Sequence, residues 1–348
     1  MIASWRGSVT WQRKIERNFT TVGGVSLLMK SLSLAALLFS YAFAFSEPAA
    51  YDPLKVGKSE VVSEVFEVKD AARDRVIPLR VYLPQGEEPA PVVIFSHGLG
   101  GSRDNNPYLG NHWAKRGYVV VFVQHSGSDE SVWKDVPAKD RMAAMKSAAS
   151  AEAYIDRVKD VPLAIDALVA WNKEEGHILS YKMDLEHIGM SGHSFGARTT
   201  QAMAGERMGG GKISVAEKRI DAAVMMSPSG SKFGDPDAVF SEITIPCLLM
   251  TGTLDTSPVG RTSPKDRLEV FPYVGGAAWQ VVFDGAEHSA FGQRAGRGEG
   301  EYHERILALT TAFWDAHLKN DVAALAWLNG EGAKGVLAEK DIWEMNNR

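Results

Sequence analysis

The spacing of apolar and polar residues changes once along the chain, near residue 90. Before that point, Val61–Lys69 and Arg75–Leu83 alternate apolar and polar residues on either side of a polar turn, which predicts an antiparallel β-hairpin. After it come short, almost continuous apolar runs, which are typical of strands buried on both faces of a parallel sheet. These runs are Pro91–Ser96, Tyr118–Val123, His187–Met190, Ala222–Met226, Ile245–Thr251 and Trp279–Phe283.

Helical patterns lie between the apolar runs. Asp160–Trp171 and Glu301–Leu318 each place apolar residues along one side. This alternation predicts an α/β fold with a mostly parallel central sheet, helices on both faces and an N-terminal antiparallel hairpin. No internal repeat or long linker interrupts residues 45–348, so we expect a single domain there. Sites in such sheets form at the C-terminal ends of the strands, which guides the choice among candidate residues.

The N-terminal residues have the features of an export signal. A basic residue precedes the apolar run Ser31–Phe45, and Ala42–Ala44 supplies the small residues of a cleavage site. The run is shorter than a membrane span, so no stable span is expected after cleavage. We expect residues 1–44 to be an extension and a signal peptide near 29–44, with Met29 as the start and a secreted or periplasmic product. An uncleaved anchor helix is the alternative.

Charge and cysteine content exclude several classes of protein. The 348 residues carry a formal net charge of −5 with mixed signs throughout, so the chain lacks the basic face that nucleic acid requires. Cys247 is the only cysteine, which rules out an intrachain disulfide or a cysteine metal cluster. Its apolar neighbours favour a buried strand residue over a reactive thiol. No cofactor or metal is predicted.

A candidate nucleophile lies in Gly192-His193-Ser194-Phe195-Gly196, which matches the G-x-S-x-G nucleophile elbow. The strand Glu186–Ser191 leads into it and the helical stretch Ala197–Ala204 follows. Such a tight turn lifts the serine hydroxyl clear of the sheet, and the following helix places partial positive charge beside a developing oxyanion. The alternative is a Gly-Ser turn with no chemistry. In this context the elbow resembles that of α/β-hydrolases, which implies an α/β-hydrolase fold with Ser194 as nucleophile.

The general base is expected late in the chain, because α/β-hydrolases order their triad as serine, acid, histidine. Only His288, His303 and His317 follow far enough after the elbow. His303 and His317 lie in the C-terminal helical pattern. His288 follows a predicted strand and a short loop, so it lies at a strand's C-terminal end and is the predicted base.

The acid that orients this imidazole is expected to be Asp255, which ends a buried strand and a Gly-containing turn. Asp235 or Asp237 remains an alternative from the preceding loop. Asp221 lies at the wrong end of its strand, Asp266 opens a predicted helix and Asp284 is expected to form a turn.

The oxyanion hole is predicted from the Gly-rich loop Ser96–Gly101, which follows a strand. The two donors are expected to be the backbone amides of Leu99 and Phe195. His97 and His193 flank these donors and are expected to be structural. A Gly-rich loop after a strand also cradles phosphate in some proteins, but the nucleotide-binding glycine patterns do not occur here.

The motifs together resemble a known group of enzymes. Phe95–Arg103, the elbow, Gly252–Asp255 and Asp284–His288 are similar to bacterial dienelactone hydrolase-like, platelet-activating-factor acetylhydrolase-like and polyester hydrolase-like proteins. The resemblance implies hydrolysis of carboxylic esters without cofactor or metal. There are two departures. Acetylhydrolases carry their acid after the strand that matches Ala222–Met226, where this chain has Ser227-Pro228-Ser229. Dienelactone hydrolases use a cysteine nucleophile, where this chain has Ser194.

The segment 125–154 interrupts the regular alternation. Its Trp133, Met142 and Met145 either form a partial lid that lines the substrate pocket or pack into the body. As a pocket rim they favour acyl chains or aromatic esters over sugars.

The sequence therefore predicts a secreted serine esterase that cleaves a small-molecule or lipid-like ester through an acyl-enzyme. An amidase or peptidase of the same fold and a non-catalytic binding protein on this scaffold are the alternatives. The sequence makes no prediction of the oligomeric state.

Overall fold

The computed structural model describes residues 50–346, except 59, 258, 261 and 293–298. The predicted signal peptide and the Met29 start lie outside the described residues and stay predictions. These described residues fall into one compact unit. Within the described residues, none of the helices is both long and apolar enough to span a bilayer.

A nine-stranded sheet organises the described residues, in the order β1-β2-β4-β3-β5-β6-β7-β8-β9. Strands β3 to β8 run parallel, whereas β1, β2 and β9 pair antiparallel at the two sides. The strands are β1 (Val62–Asp70), β2 (Arg75–Leu83), β3 (Ala90–Ser96), β4 (Val119–Val123), β5 (Met183–His193), β6 (Ala222–Met226), β7 (Cys247–Leu254), β8 (Ala278–Glu287) and β9 (Ile342–Asn346).

The α-helices follow the strands in the alternating order that the pattern predicts. They are α1 (Pro107–Lys115), α2 (Arg141–Ala148), α3 (Ala151–Lys173), α4 (Phe195–Ala204), α5 (Met208–Gly211), α6 (Pro236–Phe240), α7 (Pro264–Arg267), α8 (Glu299–Leu318), α9 (Val322–Asn329) and α10 (Glu331–Gly335). The predicted α/β-hydrolase fold, with its parallel sheet and N-terminal hairpin, is confirmed.

Successive residues of each central strand pack on opposite faces of the sheet. In β6, Val224 packs with Trp113 of α1 and Trp314 of α8, whereas Met225 packs on the other face with Phe240 of α6. Helix α3 covers that second face farther along the sheet. Because both faces are covered, the central strands are apolar at nearly every position, which explains their continuous hydrophobic runs.

Two elements extend beyond their predicted bounds. Strand β5 begins at Met183 but loses register with β3 between Pro91 and Val92. Proline lacks the N–H that a continuous ladder needs at this point. Helix α3 begins at Ala151, nine residues before the predicted start, because Ser150 caps it by accepting a hydrogen bond from the Ala153 amide.

The last strand, β9, gives no clear signal in the sequence. Strand β9 is half exposed along its length and, among the described strands, pairs only with β8. An edge strand with one covered face and few residues shows little hydrophobic periodicity. Cys247, by contrast, lies fully buried in β7, as its apolar neighbours predict, and burial raises the pKa of its thiol.

His317 of α8 is a half-buried histidine whose charge the fold disfavours. Its ring lies 5.1 Å from that of Trp279 and 4.7 Å from that of Phe313, measured between centroids. Its Nε2 has no hydrogen-bond partner within the described structure. Burial lowers the pKa of His317 to about 4. The folded state therefore binds this proton less readily than the unfolded chain does.

We expect His317 to make the fold sensitive to acid. A depressed histidine pKa contributes stability that is fully present above the unfolded pKa of about 6.5 and is lost as pH falls toward 4. Between pH 7.5 and pH 5 this loss is about 1 to 2 kcal/mol in the free energy of unfolding. His317→Phe and His317→Gln should both show a smaller decrease than the parent in urea unfolding at the two pH values. An equal decrease in all three proteins would contradict this assignment.

Candidate active site

Ser194 lies at the turn between β5 and α4, in a backbone conformation that few residues other than glycine adopt. Its φ is 57° and its ψ is −113°, and its amide donates to the carbonyl of Met226 on the neighbouring strand. A Cβ atom at Gly196 would lie 1.8 Å from the Ser96 carbonyl oxygen, so only glycine permits this approach of α4 to β3. The turn therefore holds the serine at the C-terminal edge of the sheet.

The imidazole of His288 lies between Ser194 and Asp255. Its Nε2 is 2.8 Å from the Ser194 hydroxyl oxygen, and its Nδ1 is 2.7 Å from a carboxylate oxygen of Asp255. His288 directly follows β8 and Asp255 directly follows β7, so parallel strand ends bring the two side chains together. The structure thus brings together the three residues predicted as nucleophile, base and acid.

Asp255 is fully buried, yet its surroundings favour the ionised carboxylate. Burial by itself raises the pKa of Asp255. The hydrogen bond from His288 and the charge of Arg267 outweigh that effect and lower the pKa to about 2. The Arg267 Nε lies 3.4 Å from the same carboxylate oxygen that His288 contacts. The Thr251 hydroxyl donates to the other oxygen at 2.9 Å. The carboxylate is therefore charged and fixed in orientation.

Arg267 is a part of this site that the sequence analysis missed. Its side chain is buried, and one terminal nitrogen donates to the carbonyl oxygens of Ser227 and Pro228. These residues follow β6, where acetylhydrolases carry their acid. Arg267 occupies this neighbourhood and links it to Asp255, but an arginine in a short helix carries no motif that predicts the contact.

The competing acids lie elsewhere. Asp235 caps α6 through the amide of Asp237. Asp221 precedes β6 and accepts from the Ile188 amide, at the opposite end of the sheet from the elbow. Asp266 forms a capping box with Ser263, and Asp284 lies 3.5 Å from the Thr253 hydroxyl. None of these carboxylates is a hydrogen-bond partner of His288 in the described structure.

The two competing histidines, His303 and His317, contact other groups than Ser194. His303 stacks on Tyr108 with the ring centroids 3.8 Å apart, and its Nε2 lies 3.1 Å from the Gly292 carbonyl. His317 is enclosed by aromatic rings. Neither hydrogen-bonds to Ser194.

His193 supports the candidate base. Its Nε2 donates to the His288 carbonyl at 3.0 Å, and the two rings lie 4.8 Å apart. Burial, followed by the nearby His288, lowers the pKa of His193 to about 3, so the ring is neutral. This contact agrees with the structural role expected for His193.

The backbone amides predicted as oxyanion donors belong to two segments that adjoin Ser194. A Cβ atom at Gly98 would be 3.5 Å from the Ser194 Cβ, so the loop that carries Leu99 passes directly over the serine. Phe195 opens α4, where helical amides lack intrahelical acceptors. Neither the Leu99 nor the Phe195 amide donates to a backbone carbonyl in the described part of the chain. Both amides are therefore available to an oxygen bound beside Ser194.

Arg157 of α3 holds the Leu99 loop from beneath. It is fully buried and donates from Nη1 to the His97 carbonyl at 2.7 Å and from Nε to the Ser128 hydroxyl at 2.8 Å. The Ser128 carbonyl in turn accepts from the Gly100 amide at 2.8 Å. Arg157 therefore anchors the backbone on both sides of Leu99, directly at His97 and through Ser128 at Gly100.

Arg157 also contacts the second donor residue. Its guanidinium lies 4.4 Å from the centroid of the Phe195 ring. Burial lowers the pKa of Arg157 to about 9, and the nearby Asp160 and Asp129 oppose this shift. One buried cation therefore links the two segments that carry the candidate oxyanion donors.

A second Ser–His–Asp series lies below the candidate site. The Ser96 hydroxyl lies 2.9 Å from His125 Nε2, and His125 Nδ1 lies 3.0 Å from Asp160. All three side chains are fully buried, and Asp160 is also paired with Arg73 and Arg75. Because no substrate reaches this series, we interpret it as the support of the Ser96–Gly101 loop.

A cavity of about 620 Å³ opens in front of Ser194 and His288. Met145 of α2 lines it, as predicted. Trp133 does not line it but packs behind it, where its Nε1 donates to the Gly100 carbonyl at 2.7 Å. Met142 lines neither this cavity nor a smaller neighbour and is 47% exposed.

The pocket prediction therefore needs correction for Trp133 and Met142. The short helices of 125–154 leave Met142 in solvent and commit the Trp133 indole to a backbone hydrogen bond. The segment packs on the Gly-rich loop through Trp133 and Met145 rather than standing apart from it.

Comparison with known proteins agrees with this architecture. The family profile described as platelet-activating factor acetylhydrolase, isoform II, matches residues 78–175, from β2 to just beyond α3. None of the curated proteins matches the chain. The matched stretch contains Leu99 and Arg157 but precedes Ser194, Asp255 and His288. The resemblance to acetylhydrolases is thus confirmed over this stretch, and with the sheet order it indicates a hydrolase of the α/β-hydrolase type.

Proposed function

We propose that the protein hydrolyses carboxylic esters through a covalent acyl-enzyme on Ser194. The observation that carries this proposal is the single imidazole of His288 between the hydroxyl of Ser194 and the buried carboxylate of Asp255, at 2.8 and 2.7 Å. The similarity of residues 78–175 to acetylhydrolases supports an ester as substrate. No feature of the site specifically favours an amide.

In the first step, His288 Nε2 accepts the Ser194 proton while the serine oxygen attacks the ester carbonyl. The Leu99 and Phe195 amides hold the resulting oxyanion, and Asp255 stabilises the imidazolium. The intermediate collapses with cleavage of the bond to the alcohol oxygen, which takes the proton from His288. Water then gives a proton to His288 and attacks the acyl-enzyme carbonyl. The bond to the Ser194 oxygen breaks, that oxygen takes the proton back from His288, and the carboxylic acid leaves.

Removing the nucleophile should abolish turnover. We expect Ser194→Ala to lower kcat on p-nitrophenyl acetate and butyrate by at least about 10³-fold, because Ser194 is the hydroxyl that hydrogen-bonds to His288 Nε2 among the described residues. Ser214→Ala, at an exposed serine that does not line the cavity, is the matched control and should keep parental activity. A fluorophosphonate probe should label the parent on the peptide that contains Ser194.

Equal turnover by the parent and Ser194→Ala would contradict the mechanism. Faster release of nitroaniline from p-nitroacetanilide than of nitrophenol from the ester would indicate the amidase instead. No turnover of any of these compounds and no labelling would favour a non-catalytic binding protein.

Removing the charge of Asp255 should lower kcat while the fold persists. Asp255→Asn leaves the shape of the side chain but presents an amide to His288, which disfavours the tautomer that accepts the Ser194 proton. We expect kcat to fall on the order of 10³- to 10⁴-fold. Asp237→Asn, at the rejected candidate, should leave kcat within about twofold of the parent, and an equal loss in both variants would contradict the assignment of Asp255.

Arg157 should act as a positioning residue for the oxyanion donors. Loss of one such donor typically lowers kcat by about 10²- to 10³-fold, so a displaced Leu99 amide should act on kcat more than on KM. We expect Arg157→Met to lower kcat at least about tenfold, with partial rescue in Arg157→Lys. Ser128→Ala tests the same link by a smaller change.

Steady-state kinetics on p-nitrophenyl butyrate, with thermal unfolding of each variant, separate positioning from stability. A loss of melting temperature with kcat and KM unchanged at a temperature where the variant is folded would show that Arg157 only stabilises the fold.

A further inference from the structure

Two cavities meet at Ser194. Beside the large cavity lies a smaller one of about 140 Å³, and both are lined by Ser194 and Leu99. Phe195 and Arg198 line only the small cavity, whereas His288 lines only the large one. The nucleophile therefore stands at the junction of two spaces with different chemistry.

The position of His288 distinguishes the uses of the two spaces under the proposed mechanism. The leaving alcohol oxygen must receive its proton from His288 Nε2, so the alcohol part of the ester lies in the large cavity. A substrate group in the small cavity cannot be the leaving group, because His288 does not line that space. The small cavity therefore belongs to the acyl part.

The small cavity is cationic. Arg198, Lys232 and Arg267 line it, and no aspartate or glutamate among the described residues does so. The charge of Arg267 is balanced by Asp255, at 3.4 Å. Lys232 is exposed, and its ammonium donates to the Gly260 carbonyl at 3.2 Å. This hydrogen bond occupies one donor of the ammonium but does not neutralise its charge.

Arg198 is held ready for a ligand. It lies four residues after Ser194, in the first turn of α4, and both residues line the small cavity. Its guanidinium lies 5.0 Å from the centroid of the Tyr154 ring, and the Tyr154 hydroxyl donates to the Arg198 carbonyl. The buried Nε of Arg198 has no hydrogen-bond partner in the described structure.

Among the described residues, Arg198 forms an ion pair with one carboxylate, which compensates its charge only in part. A Glu206 oxygen lies 3.6 Å from an Arg198 terminal nitrogen, beyond ordinary hydrogen-bond length. Burial raises the pKa of Glu206 to about 7, and the charge of Arg198 opposes this shift. Near neutral pH a substantial share of Glu206 is therefore protonated, and the charge of Arg198, which lines the small cavity, is compensated only in part.

We propose that the small cavity binds a carboxylate at the far end of the acyl chain, with Arg198 as its main partner and Lys232 as a second cation. The preferred substrates are then half-esters of short dicarboxylic acids, with one carboxyl esterified and the other free. This inference rests on the proposed esterase function and names its substrate class. The chain must be short, because the cavity is about 140 Å³ and Arg198 lies one helical turn from the nucleophile.

The test compares two esters of equal shape and different charge. Monoethyl succinate carries a free carboxylate, and ethyl succinamate carries a neutral amide in its place. We expect the full-length parent at pH 7.5 to show a kcat/KM, followed by ethanol release, at least about tenfold higher for monoethyl succinate, since hydrogen bonds to charged groups are worth more than neutral ones. This preference should fall when sodium chloride is raised to 0.5 M.

Variants assign the preference to residues. Arg198→Met alone would leave Glu206 buried beside no cation, so it is combined with Glu206→Gln, and we expect the preference to fall at least about tenfold. Glu206→Gln alone keeps the cation and should keep or increase the preference. Lys232→Met, at an exposed position that does not threaten folding, should lower it by a smaller factor. Lys212→Met, at an exposed lysine outside both cavities, should leave it unchanged.

The outcomes separate this inference from the function on which it rests. If the parent hydrolyses p-nitrophenyl butyrate through Ser194 but does not prefer monoethyl succinate, this inference is overturned and the esterase function stands. The same holds if the preference survives both Arg198→Met/Glu206→Gln and Lys232→Met. If the parent hydrolyses no ester at all, both are overturned.

Discussion

The contact between the Asp255 carboxylate and His288 Nδ1 is the constraint on which the candidate site depends. It commits Nδ1 to donating, which leaves Nε2 to accept from Ser194. The carboxylate does this only while it is charged, and a buried carboxylate stays charged only with compensation. His288 and Arg267 supply that compensation, together with the Thr251 hydroxyl. The reactive edge of the sheet is therefore held by electrostatics as much as by packing.

Beneath this edge the protein buries more charge than a stable core requires. Arg157, Asp160 and His125 are all fully buried within one hydrogen-bonded network. Apolar residues of similar volume often stabilise a fold as well as or better than a buried ion pair. The network is better explained by what it orients. Arg157 fixes the carbonyl of His97 and, through Ser128, the amide of Gly100, so the peptide of Leu99 between them has little freedom.

The fold and the reacting residues were accessible to sequence reasoning because each has a local signature. Continuous apolar runs predict buried strands, the G-x-S-x-G pattern marks Ser194, and strand ends select His288 and Asp255. The supporting residues lack such signatures. Arg157 lies in the middle of a helix and Arg267 in a four-residue one. Their contacts join segments far apart in sequence, so only the assembled sheet reveals them. The prediction of Met142 as a pocket residue was wrong for a similar reason. Whether a side chain of a short helix is buried depends on which distant segments pack against that helix, and the local sequence does not show this.

The two cavities at Ser194 determine which part of an ester lies on which side of the nucleophile. The geometry of Ser194, His288 and Asp255 alone does not determine this. A serine, a histidine and two amides can process any ester that reaches them, so selectivity has to come from the spaces on either side. The chain carries a formal charge of −5, which disfavours an anion at long range. Salt screens that repulsion beyond roughly 8 to 10 Å, whereas Arg198 acts at contact distance. A neutral acyl chain in the small cavity would take water from the partly exposed end of the Arg198 guanidinium without giving it a partner, and an unsatisfied polar group is costly. A terminal carboxylate removes that penalty. The same cation thus favours the charged acyl group and disfavours the apolar one, and this double effect makes one arginine sufficient to set the preference.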